Sequence, residues 1–239
     1  MHRPARRRYL RNRTYVAGID AQCQADLADM QAIARQNKGA RYLLTVIDVF
    51  SKYAWVAPVK SKDAAAVTEA FRQILNAAAP RHPNRLQTDK SKEFFNASFA
   101  ALMKRHNIQH FASESDQKAA VVERFNRTIK TRIWTYLSDR GTVCWIDVIQ
   151  KLLNAYNNSQ HRSIGMAPAD VEKHHEDTLW TRFYGDGDTH LKPAMPRNSM
   201  VRISKNKGVF DKGYMSNWSK EHLTVDEVPN PRRGNKRRV

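Results

Sequence analysis

Cysteine is almost missing from this sequence, and acids are scarce beside bases. The 239 residues hold only two cysteines, Cys23 and Cys144, far apart and with no Cys or His at metal-ligand spacing. That excludes a disulfide framework and a Cys/His zinc module, and it fits a reducing compartment. No apolar run approaches the roughly 20 residues needed to span a bilayer, so no membrane association is expected. The basic N-terminus lacks the apolar segment of a secretory signal, and the expected location is nuclear, with the cytosol as the alternative. Asp and Glu total 23 against 41 Lys and Arg, which leaves a net charge of +18 and a pI near 10.2. An excess of this size implies a polyanionic partner, most commonly nucleic acid. The competing reading is a basic surface kept for solubility.

What is present describes a folded protein. Hydrophobic residues make up 41% of the chain, with 5 Trp and 9 Phe among them, too many for a disordered segment. The length allows one good core and a smaller appendage. Residues 1–14 (MHRPARRRYLRNRT) carry six arginines and no acid, and form a basic arm able to lie along phosphates or act as a nuclear address.

Beyond the arm, the alternation of Cys23, Ala25 and Leu27 against Gln22, Gln24 and Asp26 predicts a strand with one buried face. Residues 41–50 (RYLLTVIDVF) are nearly continuous in apolar, β-branched residues, the mark of a central strand. A tight link at Ser51 and Lys52 leads to a third strand over 53–60, where Pro58 marks a sheet edge or strand end. The spacing then predicts a helix over 62–79 ended by Pro80, a strand running to Asp89, a helix over 97–106 and a strand over 108–112. A long helix is expected from about Ala119 to Tyr136, another over 144–158 and a short one over 176–184. Strand-strand-strand-helix-strand-helix-strand-helix is the order of the ribonuclease H-like fold. The expected class is therefore α/β, a mixed five-stranded sheet flanked by helices. The expected organisation is a catalytic core over 15–175, a linker over 176–198, and a small β-barrel over 199–229 anchored by Trp218. The barrel is short of residues, and incomplete on that count. A basic tail over 230–239 follows.

Asp26 on the polar face of the first strand, Asp89 at the end of the fourth and Glu123 opening the long helix stand where a metal site would need them. In this order the first and fourth strands are neighbours, so the two aspartates can face each other. Hard oxygen ligands of this kind suit Mg²⁺ or Mn²⁺. Two such ions about 4 Å apart serve phosphodiester cleavage and strand transfer. Each acid also has a plain structural reading, as a turn, cap or helix-dipole residue. Asp20, Asp29 and Asp48 compete with Asp26 for the first position, Asp48 most strongly.

At these residues the chain resembles the integrases of Maverick/Polinton transposons, within the retroviral-integrase and DDE-transposase superfamily. The matching stretches are QADLADM (24–30), YLLTVIDVFSKYAWV (42–56), LQTDKSKEF (86–94), KAAVVERFNRTIKTRIW (118–134), AYNNSQHRSIGMAPADV (155–171) and VRISKNKGVFDKGYMSNWSKEHLTV (201–225). The resemblance implies an enzyme that processes DNA 3′ ends and joins them into target DNA as a homo-oligomer, using two Mg²⁺ or Mn²⁺ ions held by Asp26, Asp89 and Glu123. It also implies DNA contacts from Arg127 and Lys130, on nearly the same helix face as Glu123, and from Lys118 in the same stretch. Where the family has glycine this chain has Ser91; if that turn needs φ > 0, serine costs about 1 kcal/mol. The alternatives are a non-catalytic, integrase-derived DNA-binding protein, a ribonuclease H-type nuclease acting on RNA–DNA hybrids, and a module that binds an acidic protein.

Overall fold

The structure, a computed structural model, describes residues 14–112, 119–185, 198–203 and 218–225. The described residues from Tyr15 to Gly185 form one compact unit, and those outside it belong to a second. Five strands build the sheet: β1 (Cys23–Asp29), β2 (Tyr42–Asp48), β3 (Ala54–Val59), β4 (Arg85–Thr88) and β5 (Gln109–Ala112), in the order β3-β2-β1-β4-β5. The first three form an antiparallel meander, while β4 and β5 add in parallel on the far side of β1. Pro58 lies on β3, an edge strand, where a missing N–H leaves no ladder broken.

Both faces of the sheet are covered, which is why β2 reads as an almost unbroken apolar run. Leu44 and Val46 join one core with α1 (Ala64–Ala78) and α2 (Ala97–Arg105). Leu43 and Ile47, pointing the other way, join a second core with α3 (Ala120–Arg140) and α4 (Ile149–Asn157). The stripe Val67, Ala70, Phe71, Ile74 and Leu75 buries α1 as its helical period predicts. Asn96 caps α2 by accepting from the Phe99 amide at 2.9 Å.

The structure departs from the sequence expectations at three places, each with a local cause. The long helix runs past Tyr136 to Arg140 and stops where Gly141 adopts the left-handed conformation (φ 59°), the usual helix-ending device. The next helix begins at Ile149 rather than Cys144, because the Asn37 side chain accepts from the amides of Trp145 (2.7 Å) and Ile146 (3.0 Å) and holds the buried Trp145 in a turn. Residues 176–185, expected to begin a linker, belong to the compact unit. There α5 (Glu176–Trp180) and a wider turn over Thr181–Gly185 bury Leu179 against Val16, Val49, Phe50, Ile164 and Val171.

In the second unit the described residues show β6 (Met200–Val201) paired antiparallel with β7 (Leu223–Thr224), and most of the barrel expected over 199–229 lies outside the described residues. Residues 204–217 between them, the basic arm over 1–13 and the tail over 230–239 lie outside the described residues. No helix among the described residues is long and apolar enough to cross a membrane.

Candidate active site

The parallel pairing of β1 with β4 sets Cys23 opposite Leu86 and Gln24 opposite Gln87. That register, extended beyond the last paired residues and past the end of β4, would bring Asp89 level with Asp26. Asp89 stands just past the end of β4, and its Oδ1 accepts from the Ser91 hydroxyl at 2.6 Å and from the Ser91 amide at 3.4 Å. Ser91 is not at positive φ; among the described residues the non-glycines that are include Asp20, Lys38, Lys52, Asn107 and Asn198. The strain expected of a serine here therefore does not arise, and its hydroxyl instead holds the carboxylate.

A relay of buried amides seats α3 on this edge. Gln24 Oε1 accepts from the amides of Val121 and Val122, both at 3.1 Å, satisfying two of the free N–H groups of the helix start. Its Nε2 donates to Gln87 Oε1 at 2.9 Å, which also accepts from Gln22 at 3.1 Å. One turn further, Asn126 donates to Asp26 Oδ2 at 2.7 Å and accepts from the buried Thr45 hydroxyl at 2.7 Å. Glu123 precedes Asn126 by three residues and so shares its flank of the helix.

Burial pushes the Asp26 carboxyl above its ordinary value, and the negative charges of Asp89 and Glu123 push it the same way; the Leu27 amide and Lys62 act against them. The three carboxylates thus share one electrostatic environment. They are not in ligand contact, because among the described residues the only His, Cys, Asp or Glu trio with ligand atoms all within 4.8 Å is Asp20, Cys23 and Asp48. A cation already sits there: Arg81 donates to Asp20 at 2.6 Å and to Asp48 at 3.1 Å. Asp48, wholly buried, also accepts from the Ser51 amide and hydroxyl. Asp29 is exposed and closes a turn through the Gln31 amide and side chain. The charges of Asp89 and Glu123 are felt at Asp26 and do not figure at Asp29 or Asp48.

Residues 20–118 match the family model described as Integrase core domain. A putative uncharacterized transposon-derived protein of Caenorhabditis elegans is 33% identical over 211 residues, an alignment covering 84% of this chain and 68% of that protein. The chain belongs to the integrase core family. The Pro-Pol polyprotein of simian foamy virus type 3 is 28% identical over 134 residues, which span 55% of this integrase-family chain and only 11% of the polyprotein. The structure of the HTLV-2 integrase catalytic core domain in complex with magnesium superposes with a TM-score of 0.55 at 21% identity, covering 66% of this chain and 99% of that domain. The sheet and its helices are thus the ribonuclease H-like integrase core fold.

Arg127 is exposed and Lys130 partly so on α3, while Lys118 lies outside the described residues. The positive charge of Lys130 is felt at Asp29, close to the end of β1. Sequence reasoning did not single out Gln24, Gln87, Thr45 or Asn126 as positioning residues. A signal was present for two of them: Gln24 shares the strand face of Asp26, and Asn126 follows Glu123 at helical spacing.

Proposed function

We propose that this chain is an integrase of the Maverick/Polinton kind, a DDE-type polynucleotidyl transferase that processes DNA 3′ ends and joins them to target DNA. The observation that carries this reading is the convergence of β1, the end of β4 and the first turn of α3 on one edge, where Asp26 feels the charges of Asp89 and Glu123. The donor set fits Mg²⁺ or Mn²⁺, because it consists of carboxylate oxygens whose mutual repulsion a divalent cation relieves. Two such ions, when bound, supply activation of the attacking oxygen and stabilisation of the leaving one.

The chain's own residues do the rest. Asp26 is held in place by Asn126 and by the Leu27 amide, and Asp89 by Ser91. Arg127, Lys130 and Lys118 take the phosphates of the DNA end beside the carboxylates. In strand transfer the 3′-hydroxyl of that end attacks a target phosphorus, the P–O bond to the target's own 3′-oxygen breaks, and the phosphodiester count is unchanged. Joining of paired ends requires a homo-oligomer, and access to chromosomal DNA requires a nuclear location.

A non-catalytic DNA-binding protein is the second reading, favoured by the separation of the three carboxylates beyond common ligand distance. Labelled end oligonucleotides separate the two. Asp26→Asn and Glu123→Gln are expected to abolish Mg²⁺-dependent joining and nicking while leaving binding intact. An unaltered chain that neither joins nor nicks at any Mg²⁺ or Mn²⁺ concentration overturns the enzymatic reading.

A further inference from the structure

Around α3 from the carboxylates lies a hollow of about 500 Å³. Arg124 and Arg132 of α3 line it, with Lys52 from the β2–β3 turn, Tyr156 from α4, and His161 and Arg162 from the loop that follows. At about 100° per residue, the positions 124, 128 and 132 centre about 130° around the helix from 123, 127 and 130. The hollow is therefore a different face of α3 from the one that carries Glu123.

Its charge is unbalanced. Among the described residues no acid lines it, and none of Lys52, Arg124, Arg132 or Arg162 makes an ion pair. Arg81, by contrast, meets two carboxylates at once. Lys52 sits in left-handed backbone (φ 62°) with its Nζ donating to the Val49 carbonyl at 2.5 Å, so the turn aims its ammonium inward rather than into solvent. Burial lowers that ammonium to about 8, and Arg124 pushes it the same way, although Asp48 opposes both. Burial, followed by Lys52 and Arg124, likewise holds the His161 imidazole below its ordinary range. Arg132 is fixed by Ser159 at 3.0 Å and lies 5.7 Å from the Tyr156 ring centre. Lys52 and Arg132 are thus held in place, Lys52 and Arg124 repel one another, and a phosphate anion would neutralise the concave setting they share with Arg162.

We propose that this hollow is a second phosphate site, holding the backbone of a DNA segment through Lys52, Arg124, Arg132 and Arg162. Guanidinium forks match phosphate oxygens in pairs, and Arg124 and Arg132 are about 12 Å apart along the helix axis, enough for more than one phosphate. This inference rests on the reading of the chain as a DNA-binding integrase.

The test uses the full chain with Arg124 and Arg162, both exposed, changed together (Arg124→Gln, Arg162→Gln) and checked for an unchanged melting temperature. Affinity for a DNA duplex is measured against salt concentration. Two lost phosphate contacts reduce the slope of log affinity against log salt by about 2, with weaker binding at every salt concentration. Arg127→Gln with Lys130→Gln serves as the reference pair on the carboxylate face. If that pair weakens DNA binding while the Arg124/Arg162 pair leaves affinity and slope untouched, the second site is overturned and the DNA reading stands. If the unaltered chain binds no DNA, the DNA reading itself falls, and the site with it. Calorimetry with pyrophosphate separates the sources of phosphate: binding of pyrophosphate lost in the Arg124/Arg162 pair with the DNA slope unchanged means a small-anion site, and also overturns the proposal.

Discussion

Replacing Asn126 by alanine tests the connection between α3 and β1 without touching a carboxylate. The change removes a 2.7 Å bond to Asp26 Oδ2 and a 2.7 Å bond from the Thr45 hydroxyl. A hydrogen bond to a charged group contributes about 1.5–3 kcal/mol and a neutral one about 0.5–1.5 kcal/mol. The Thr45 hydroxyl keeps its second acceptor, the Asp26 carbonyl at 3.1 Å, so it is not orphaned in its buried position. The expected loss is therefore about 3 kcal/mol, at the middle of the summed range. For a domain of this size that lowers the melting temperature by roughly 6–12 °C. Calorimetry or circular dichroism on Asn126→Ala, Thr45→Val and the double variant measures it. The double variant should lose less than the sum of the single ones, by about 0.5–1.5 kcal/mol, because one bond is counted twice. An Asn126→Ala chain melting within a degree or so of the parent, or losses that simply add, refutes the claim that this triad fastens the helix. Both readouts are independent of whether the chain joins DNA.

Ser91→Gly restores the residue usual in the family, yet it removes the 2.6 Å bond to Asp89 and loosens a backbone that is not left-handed. Stability should fall by about 0.5–1.5 kcal/mol in urea titrations, and a gain instead would show that the turn prefers a glycine conformation. Lys52 yields a pH signature. Its folded-state value of about 8 lies below the ordinary 10.5, chiefly through burial. Below pH 8 both states hold the proton; between pH 8 and 10.5 the folded chain has released it and the unfolded chain has not. Stability attributable to this group therefore rises with pH across that window. Lys52→Met should remove that rise, and a parent-to-variant difference that is flat from pH 7 to 10.5 contradicts the burial argument.

Local pattern was enough to read most of the sheet. The apolar run of β2, the helical stripe of α1 and the proline at the β3 edge each state their role within a few residues, and the strand order follows from their sequence. What escaped depends on distant partners. Nothing near Cys144 says that Asn37, more than a hundred residues earlier, holds the next turn out of helix. Leu179 was legible as part of a short helix, but not as a core residue until Val16 and Phe50 come to cover it. At the candidate site the acids stood out as candidates because one lies on the polar face of a strand, one just past a strand end and one in the first turn of a helix. The amides that seat them were not, since Gln24, Gln87 and Asn126 look like ordinary surface residues until the sheet places them against one another. Ser91 shows the converse: a departure read as strain is a hydrogen-bond donor once its backbone is seen.

The bonding of the three acids also divides labour among them. Asp26 has both oxygens engaged and Asp89 one, whereas Glu123 is exposed and its side chain makes no hydrogen bond or ion pair among the described residues. An arriving cation would thus meet two arms already set and a third still free to swing. Immobilising that glutamate would cost up to about 2 kcal/mol of rotamer entropy, so on the proposed reading the third arm would act as a latch that closes only when a ligand repays the cost. Affinity for metal alone would then be modest, and occupancy would couple to whatever else stiffens the first turn of α3.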